Sequence, residues 1–342
     1  MPHEPGQGAA QRPQLLGHRR VESLRRRRRL GLRVVADFDE ALTTFAAEVG
    51  PDGPVCARGG RTRWSLGGEP APGTREVQAP AGIVAFEPAE MTVRVRAGTP
   101  VAELHAELAT AGQRTALPER AGGTVGGALM AGESSIARLG LGLVREALLQ
   151  ARYVCADGQI ASAGAPTVKN VSGFDLCRLL VGSLGTLGLV GEALLRTFPV
   201  GETERWVRLA GAEADAVRSC YTAASVLWDG TDVWTLLSGY AVDVDKDLGR
   251  LAGLGACEDV DGPPELPPHR WSCTPAEAAA FDSRNGAAGR FVAEIGVGVV
   301  HASEAQPPRP VEPGVVELNR RFKDRFDPHG RLNPGRDPLR KP

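Results

Sequence analysis

The stretch K-N-V-S-G-F-D-L-C-R-L-L-V-G-S-L-G-T-L-G occupies residues 169–188 and is the densest motif in the chain. Two other glycine clusters precede it, V-C-A-R-G-G-R-T at residues 55–62 and G-G-T-V-G-G-A-L-M-A-G at residues 122–132. A fourth motif, F-D-P-H-G-R-L-N-P-G-R, follows at residues 326–336. Glycine permits positive φ and close backbone approach, so consecutive N–H groups in such loops can converge on an anion. The pattern therefore favours a phosphate-containing ligand.

The glycine loops do not fit the common nucleotide-binding motifs. Neither of the first two reads G-x-G-x-x-G at the start of a long helix within a βαβ unit, so a Rossmann site is a poor fit. A Walker A loop is absent from the sequence as well. One glycine cluster alone is weak support, since such clusters are often turns. Two loops about sixty residues apart, followed by a third motif, are stronger support.

Hydrophobic periodicity predicts a mixed fold with two parts. Residues 92–97 alternate apolar and polar side chains, which is typical of a half-buried strand. The dipeptide Asp157-Gly158 lies between two apolar segments within residues 147–163 and predicts a hairpin. Thr99 and Pro100 are expected to begin a helix that ends at Gly112.

After Pro199 the glycine clusters give way to alternating predicted strands and helices. The predicted elements are a strand at 206–209, a helix at about 213–226, a strand at 234–237 and a helix at about 245–253. A last helix carries an apolar stripe, made of Val315, Leu318, Phe322 and Phe326. We predict an α+β fold: a two-lobed domain over residues 32–200, then a small α/β cap and a returning C-terminal helix over residues 201–342.

The first 33 residues are strongly basic, unlike the rest of the chain. The net charge is −1, yet residues 1–33 hold nine Arg against two Glu. The remainder is mildly acidic and gives no reason to expect nucleic acid as a partner. The five arginines at 25–29 can be a patch for nucleic acid or acidic lipid, but a disordered basic leader over residues 1–31, or a start codon placed too far upstream, explains them more simply.

Cysteine spacing and hydropathy restrict the cofactors and the location. The six Cys are scattered and no two form a C-x-x-C pair, so the sequence offers neither an iron–sulfur nor a zinc framework, and no metal site is expected. No stretch approaches the ~18 consecutive apolar residues of a membrane helix. We expect a cytoplasmic protein, with any association with a membrane made through a partner.

Together, the four motifs in this order resemble the FAD-linked oxidases of the para-cresol-methylhydroxylase type, within them the FAD-binding E subunits of glycolate oxidases. The resemblance is strong over residues 34–200, weak in the cap and clear again at the tail. It implies an FAD-binding domain of that type. Covalently bound flavin in this class usually needs a His or Cys in the first loop or at a similar point, and this loop has neither. The FAD is therefore expected to be noncovalent.

The resemblance also implies which residues hold FAD. The first loop would wrap the pyrophosphate through backbone amides, with an added hydroxyl from Thr62, and Arg61 stands where many relatives have glycine. The second loop would form the second wall. Asn170, Gly173 and Asp175 would lie beside the flavin, although Asp175 can equally be a helix cap, and residues 185–190 would form the turn that meets the adenine end. The implied residues are Arg58, Gly59, Gly60, Arg61, Thr62, Gly122, Gly123, Thr124, Val125, Gly126, Gly127, Asn170, Gly173, Asp175, Gly185, Thr186, Gly188, Val190 and Asn333.

The implied activity is oxidation of a small 2-hydroxy acid by hydride transfer to flavin. Electrons would then pass to a separate iron–sulfur subunit, and a second FAD subunit would complete the complex. Two observations favour a different hypothesis, a non-catalytic FAD-binding structural or electron-relay subunit. The cap is short for a complete substrate pocket, and His301 stands alone where catalytic members of the class have a His-rich site. No catalytic residue is therefore assigned.

Overall fold

A computed structural model describes residues 39–165, 176–281 and 289–340 of the chain. The basic leader lies outside the described residues. Helices and strands are mixed, as predicted, and the strands form two large antiparallel sheets and two small pairs. The first large sheet belongs to the part with the glycine motifs, and the second belongs to the cap.

The chain first forms a small unit at the edge of the first sheet. Helix α1 (Glu40–Val49) begins with Asp39, whose carboxylate accepts a hydrogen bond from the backbone N–H of Leu42. Strands β1 (Val55–Ala57) and β2 (Arg75–Val77) then pair in parallel. The glycine loop between them lies directly after β1.

A five-stranded antiparallel sheet is the centre of the first part. Its order is β3-β4-β8-β6-β7. The strands are β3 (Ile83–Glu87), β4 (Thr92–Arg96), β6 (Leu148–Val154), β7 (Ile160–Gly164) and β8 (Leu189–Arg196). The predicted alternation in β4 is confirmed, because Val93 and Val95 are fully buried while their neighbours are partly exposed. The predicted hairpin is confirmed as β6 and β7.

Short helices cover the buried face of this sheet. They are α2 (Val101–Ala109), α3 (Val125–Ala131), α5 (Val144–Ala147) and α6 (Leu176–Leu180). Helix α4 (Arg138–Leu141), between α3 and α5 in the chain, packs against the sheet of the cap instead. Two short strands, β5 (Gln113–Arg114) after α2 and β9 (Phe198–Pro199) after β8, pair with each other in antiparallel fashion. The core between the helices and the sheet contains Leu104, Leu129 and Tyr153.

The cap is a seven-stranded antiparallel sheet in the order β13-β10-β12-β11-β15-β16-β14. Its strands are β10 (Thr203–Ala210), β11 (Ala223–Trp228), β12 (Asp232–Gly239), β13 (Cys257–Val260), β14 (His269–Ser272), β15 (Phe291–Glu294) and β16 (Val299–Ala302). Helices α7 (Ala214–Arg218), α8 (Ala241–Ala252) and α9 (Pro275–Ala279) accompany them. The cap has its own apolar core.

The last helix, α10 (Pro313–Phe326), returns to the first part as predicted. Only half of its apolar stripe is used, because Phe322 and Phe326 pack against the first core while Val315 and Leu318 are about half exposed. The tail is fixed by Arg331, whose guanidinium donates to four backbone carbonyls on residues 49, 52, 53 and 156. This anchoring returns the tail to the first glycine loop.

Two sequence-based predictions about local structure are wrong. The helix expected at 213–226 ends at Arg218, and residues 223–228 form β11 because β12 and β15 flank this segment with hydrogen-bonding edges. Thr99 does not cap α2. Its hydroxyl instead accepts a hydrogen bond from the N–H of Gly82 and donates one to the C=O of Gly82, which ties the segment before α2 to the start of β3.

Candidate cofactor site

The first glycine loop leaves β1 and lines the main cleft of the structure. The N–H of Arg58 still donates to the carbonyl of Val77 as part of the strand pairing. In the described part of the chain, the next four backbone N–H groups, those of residues 59–62, find no hydrogen-bond acceptor. All four residues line a cleft of about 840 Å³, counted to its open mouth. Unpaired donors in a concave loop are the arrangement that binds an anion.

Arg61 takes the left-handed backbone conformation, with φ of 56°. Its side chain turns outward and pairs with Glu76, and its guanidinium lies 4.7 Å from the ring centroid of Trp64. Arg336 from the tail lies on the same ring at 4.7 Å. The loop therefore presents its backbone to the cleft, while the charge of Arg61 is already neutralised at the surface by Glu76.

The second glycine loop uses most of its donors within the protein. Thr124 caps α3 by accepting a hydrogen bond from the N–H of Gly127 at 3.2 Å. The N–H groups of Val125 and Gly126 donate to the carbonyls of Thr99 and Ala97. This loop thus forms a packed wall of the cleft.

The two loops are in direct backbone contact. A Cβ built on Gly60 would lie 1.6 Å from the carbonyl oxygen of Gly122, and one built on Gly59 would lie 2.4 Å from Oγ1 of Thr124. Neither Gly59 nor Gly60 has a positive φ, whereas Gly122 has φ of 73°. Glycine is therefore needed at 59 and 60 because the two loops touch.

The third wall comes from the turn before β8 and from the tail. Gly185, Val190 and Asn333 line the cleft together. Asn333 has φ of 46°, and its amide Nδ2 donates to the carbonyl of Leu184. Its Oδ1 is buried and has no hydrogen-bond donor in the described structure. An unpaired buried acceptor on a residue that lines the cleft makes Asn333 a candidate ligand contact.

Some predicted residues support the cleft from behind. Val125 is fully buried in the core, and a Cβ on Gly188 would collide with the ring of Tyr153. Thr186 is buried, and its carbonyl accepts a hydrogen bond from Lys323. Gly122 and Gly123 lie behind Gly60 and Thr124. Three further predicted residues, Asn170, Gly173 and Asp175, lie outside the described residues.

The structure adds cleft residues that the sequence reasoning missed. They are Arg63, Trp64, Leu66, Ala79, Ala97, Gly98, Met130, Ala131, Leu184, Leu189 and Arg336. Arg336 ends the quoted tail motif, so its position beside Asn333 could have suggested it. Leu184 and Met130 gave no such signal, because an apolar residue that lines a cleft has the same sequence character as one in a core.

Burial changes the acidity of two groups beside the cleft. Burial lowers the pKa of the Arg336 guanidinium, with Glu69 opposing this shift. Burial also raises the pKa of the Cys56 thiol, and Glu76 raises it further. Cys56 is thus held as a neutral thiol on β1.

No cluster of three or more His, Cys, Asp or Glu side chains in the described ranges is arranged to hold a metal ion. Over the same ranges, no helix is both long and apolar enough to cross a lipid bilayer.

The cleft fits an extended cofactor that carries a pyrophosphate. Four unpaired amides supply donors for phosphate oxygens, the orphaned Oδ1 of Asn333 supplies an acceptor, and Val190 and Leu184 supply apolar walls. Ligand sites are usually apolar with a few placed polar groups. The residues present therefore match FAD in chemistry.

A family comparison assigns the first part of the chain. Residues 37–164 match the family model described as FAD binding domain. The chain therefore carries an FAD-binding domain, and the prediction of FAD as the cofactor is confirmed.

Two curated relatives are similar over parts of the chain. Glycolate oxidase subunit GlcE of Escherichia coli (strain K12) is 32% identical over 48% of this chain and 48% of that protein. D-lactate dehydrogenase of Archaeoglobus fulgidus is 42% identical over 22% of this chain and 17% of that protein. The matched segments thus span half or less of these relatives.

A solved structure shows that the likeness of fold extends further. Alkyldihydroxyacetonephosphate synthase matches with a TM-score of 0.64 over 86% of this chain and 74% of that chain, at 13% sequence identity. At this identity the likeness concerns the fold alone. With the family match, it confirms the predicted para-cresol-methylhydroxylase type of fold.

Proposed function

We propose that this chain, which carries an FAD-binding domain, is an FAD-linked oxidase and the FAD-binding subunit of a complex that oxidises a small 2-hydroxy acid. The relatives named glycolate oxidase subunit and D-lactate dehydrogenase support this substrate class. The word subunit in the first of these names supports a complex.

One observation carries the proposal, the row of unpaired N–H groups on residues 59–62 at the wall of the cleft. These amides would hold the pyrophosphate. Asn333 would accept a hydrogen bond from the cofactor, and Gly126 and Gly185 would allow its close approach. Asn170, Gly173 and Asp175 would complete the site beside the flavin.

FAD, when bound, supplies the acceptor for a hydride and its two electrons. The protein would bind and orient the cofactor in the cleft between the glycine loops, the turn before β8 and the tail. Because the sequence has six Cys and no C-x-x-C pair, we place the next electron carriers, an iron–sulfur subunit and a second FAD subunit, on separate chains. We place the assembled protein in the cytoplasm, with any membrane attachment through those partners.

The attachment of the flavin is proposed to be noncovalent. The first loop, residues 58–62, contains neither His nor Cys. Acid or heat should therefore release free FAD from the purified chain into the supernatant. Flavin that remains with the denatured polypeptide would contradict this and would point to an attachment residue elsewhere in the chain.

The function itself is tested by anaerobic titration of the purified, FAD-loaded chain with glycolate, D-lactate and D-2-hydroxyglutarate. The proposal expects at least one of them to bleach the oxidised flavin spectrum, with one flavin reduced per acid oxidised. Bound FAD that dithionite reduces but no hydroxy acid bleaches would overturn the catalytic role and leave an electron-relay subunit.

A further inference from the structure

Four arginines line the cofactor cleft, and none of the described residues that line it is an aspartate or a glutamate. Two of these arginines, Arg58 and Arg61, pair with Glu76. A third, Arg63, pairs with Glu133 at 2.8 Å. The charges of these three side chains are therefore compensated by carboxylates of the protein itself. The fourth arginine comes from the tail.

The fourth arginine, Arg336, differs from the other three. Within the described residues, no carboxylate oxygen lies within 4.0 Å of its guanidinium. Its Nη1 donates a hydrogen bond to the carbonyl of Leu66 at 2.9 Å. The side chain is partly buried, and burial lowers the pKa of the guanidinium, with Glu69 opposing this shift. A partly buried cation without a counter-ion costs free energy, and a bound anion removes that cost.

The backbone of the tail fixes the position of Arg336. Its N–H donates to the carbonyl of Asn333 at 3.2 Å, so the two residues share one turn. The next N–H, that of Asp337, donates to the carbonyl of Gly67 at 2.8 Å, which docks this turn on the segment after the first glycine loop. Asn333 and Arg336 both line the cleft. The arginine therefore belongs to a fixed wall of the cofactor site.

The ring of Trp64 holds the guanidinium in place. The centre of the Arg336 guanidinium lies 4.7 Å from the centroid of this ring, and Trp64 itself lines the cleft. A cation over an indole ring is attracted by the π electrons, and a planar guanidinium also stacks on the ring. The guanidinium has five N–H donors, and in the described structure only the carbonyl of Leu66 accepts a hydrogen bond from them. Donors remain for a ligand in the cleft.

A diphosphate is the anion that suits this arrangement. The unpaired N–H groups of residues 59–62 and the guanidinium of Arg336 belong to two separate segments that line the same cleft. Arginine pairs with phosphate through two parallel N–H···O bonds, and backbone amides in a concave loop bind phosphate oxygens. Two linked phosphate groups offer oxygens to both segments at once, whereas a single phosphate offers fewer oxygens and less charge.

We propose that Arg336 is the charged partner of the diphosphate of FAD, that Trp64 positions it, and that the cleft thereby binds nucleoside diphosphates more tightly than nucleoside monophosphates. Arg336 is a binding residue, and Trp64 is a positioning residue. This assignment rests on the proposed function in one respect, the placement of the pyrophosphate at residues 59–62. It does not depend on the identity of the substrate.

The test compares ADP with AMP, which share adenosine and differ by one phosphate. The full chain, stripped of FAD and shown to rebind it, is titrated with each nucleotide by isothermal titration calorimetry. The parent should bind ADP about tenfold more tightly than AMP, or better. Arg336→Gln should raise the Kd for ADP about ten- to a hundred-fold and the Kd for AMP by less, because it removes a charge-assisted contact to the diphosphate.

Matched variants separate the charge from the structure of the tail. Arg340→Gln removes an exposed arginine of the same tail, one that pairs with Asp337 at 3.5 Å, and should leave both Kd values unchanged. Arg336→Lys keeps the charge without the planar fork and should give an intermediate Kd for ADP. Trp64→Leu removes the ring and should raise that Kd about three- to tenfold, while Trp64→Phe keeps an aromatic face and should largely restore it.

Several results would overturn the assignment. They are a parent that binds AMP as tightly as ADP, an Arg336→Gln variant with the parental Kd for ADP, and an equal loss of both nucleotides in that variant, which a merely structural role would give. If Arg336→Gln does not fold, Arg336→Lys decides. A preference for ADP that the lysine variant keeps supports the role of the charge, and a preference that it loses entirely contradicts that role.

Failure of this assignment is distinguishable from failure of the proposed function. Hydroxy acids that bleach the flavin, in a protein whose Arg336→Gln variant binds ADP like the parent, would keep the function and overturn the role of Arg336. Selective loss of ADP binding in Arg336→Gln, in a protein whose flavin no hydroxy acid bleaches, would keep the role of Arg336 and overturn the catalytic role.

Discussion

The two glycine loops look alike in sequence and differ in what their backbone groups do. In R-G-G-R-T the N–H groups of residues 59–62 have no acceptor within the described structure and line the cleft. In G-G-T-V-G-G the N–H groups of Val125, Gly126 and Gly127 bind acceptors within the protein. The backbone N–H groups are thus available to a ligand in the first loop and are used for packing in the second.

This difference shows what a glycine motif does and does not encode. Gly60 is required because the carbonyl of Gly122 lies against its Cα, so even the first loop needs glycine for protein contact. The binding capacity of that loop comes from its unpaired donors. Only the hydrogen-bond partners, which depend on tertiary structure, separate the two roles.

The largest effect is expected from Gly60→Val, which breaks the contact between the loops. Its side chain would collide with the backbone of Gly122 and displace the amides of residues 59–62. Losing two charge-assisted hydrogen bonds weakens FAD binding by about two to four orders of magnitude. Flavin absorbance per chain after gel filtration measures the loss.

Gly249→Val is the matched control for this variant. Gly249 lies within α8, and a Cβ there meets nothing within 4 Å. The control should stay yellow. Gly211 is a poorer choice, because its φ of 64° would strain any other residue. Full FAD content in Gly60→Val would show that the loop is only a turn.

Substitutions of Asn333 test whether the third wall of the cleft binds FAD. Asn333→Ala and Asn333→Gly both remove the buried Oδ1 and should raise the Kd for FAD about tenfold. Alanine also strains the backbone at φ of 46°, which glycine does not, so only Asn333→Ala should lose about 1 kcal/mol of additional stability. Fluorescence titration and thermal melting separate the two effects. Parental FAD affinity in both variants would contradict a cofactor role for the side chain.

Substitutions of Thr124 test whether the second glycine loop serves mainly in packing. Thr124→Val removes the cap on α3 and should cost about 1 kcal/mol of stability, while Thr124→Ser keeps the hydroxyl and should melt like the parent. The affinity for FAD should change much less than in Gly60→Val. If Thr124→Val lost FAD without loss of stability, the second loop would be the main phosphate site.

The smallest effect is expected from Arg61→Gly. The side chain pairs with Glu76 at the surface, and an exposed ion pair contributes only ~0–1 kcal/mol. Glycine relieves the positive φ at this position. The Kd for FAD should therefore stay within about threefold of the parent. A tenfold loss would mean that the Arg61 guanidinium turns inward to the phosphates.

The sequence predicted the parts of the fold that are encoded locally. The alternation at residues 92–96 and the Asp157-Gly158 turn gave β4 and the β6–β7 hairpin. The prediction of a helix through residue 226 was wrong. The apolar run at 223–228 suits a helix or a strand equally, and pairing with the neighbouring strands makes it a strand. The prediction that Thr99 caps α2 was wrong for a similar reason, because its hydroxyl binds Gly82, which lies just before β3 and is distant in sequence.

The candidate site was predictable as a set of motifs but not as a geometry. The motifs identified both glycine loops and Asn333 as candidate cofactor-binding residues. The roles of Leu184 and Met130 depend on how the turn before β8 packs on α3, which single residues do not signal.

Amide hydrogen exchange tests most directly whether the first loop holds the pyrophosphate. The chain stripped of FAD and the chain reloaded with FAD are compared by mass spectrometry of peptides that cover residues 58–64 and 122–131. Amides without an acceptor exchange fast, and a bound phosphate slows them. The account predicts that FAD strongly protects the 58–64 peptide and changes the 122–131 peptide little. Protection confined to 122–131 would contradict the account.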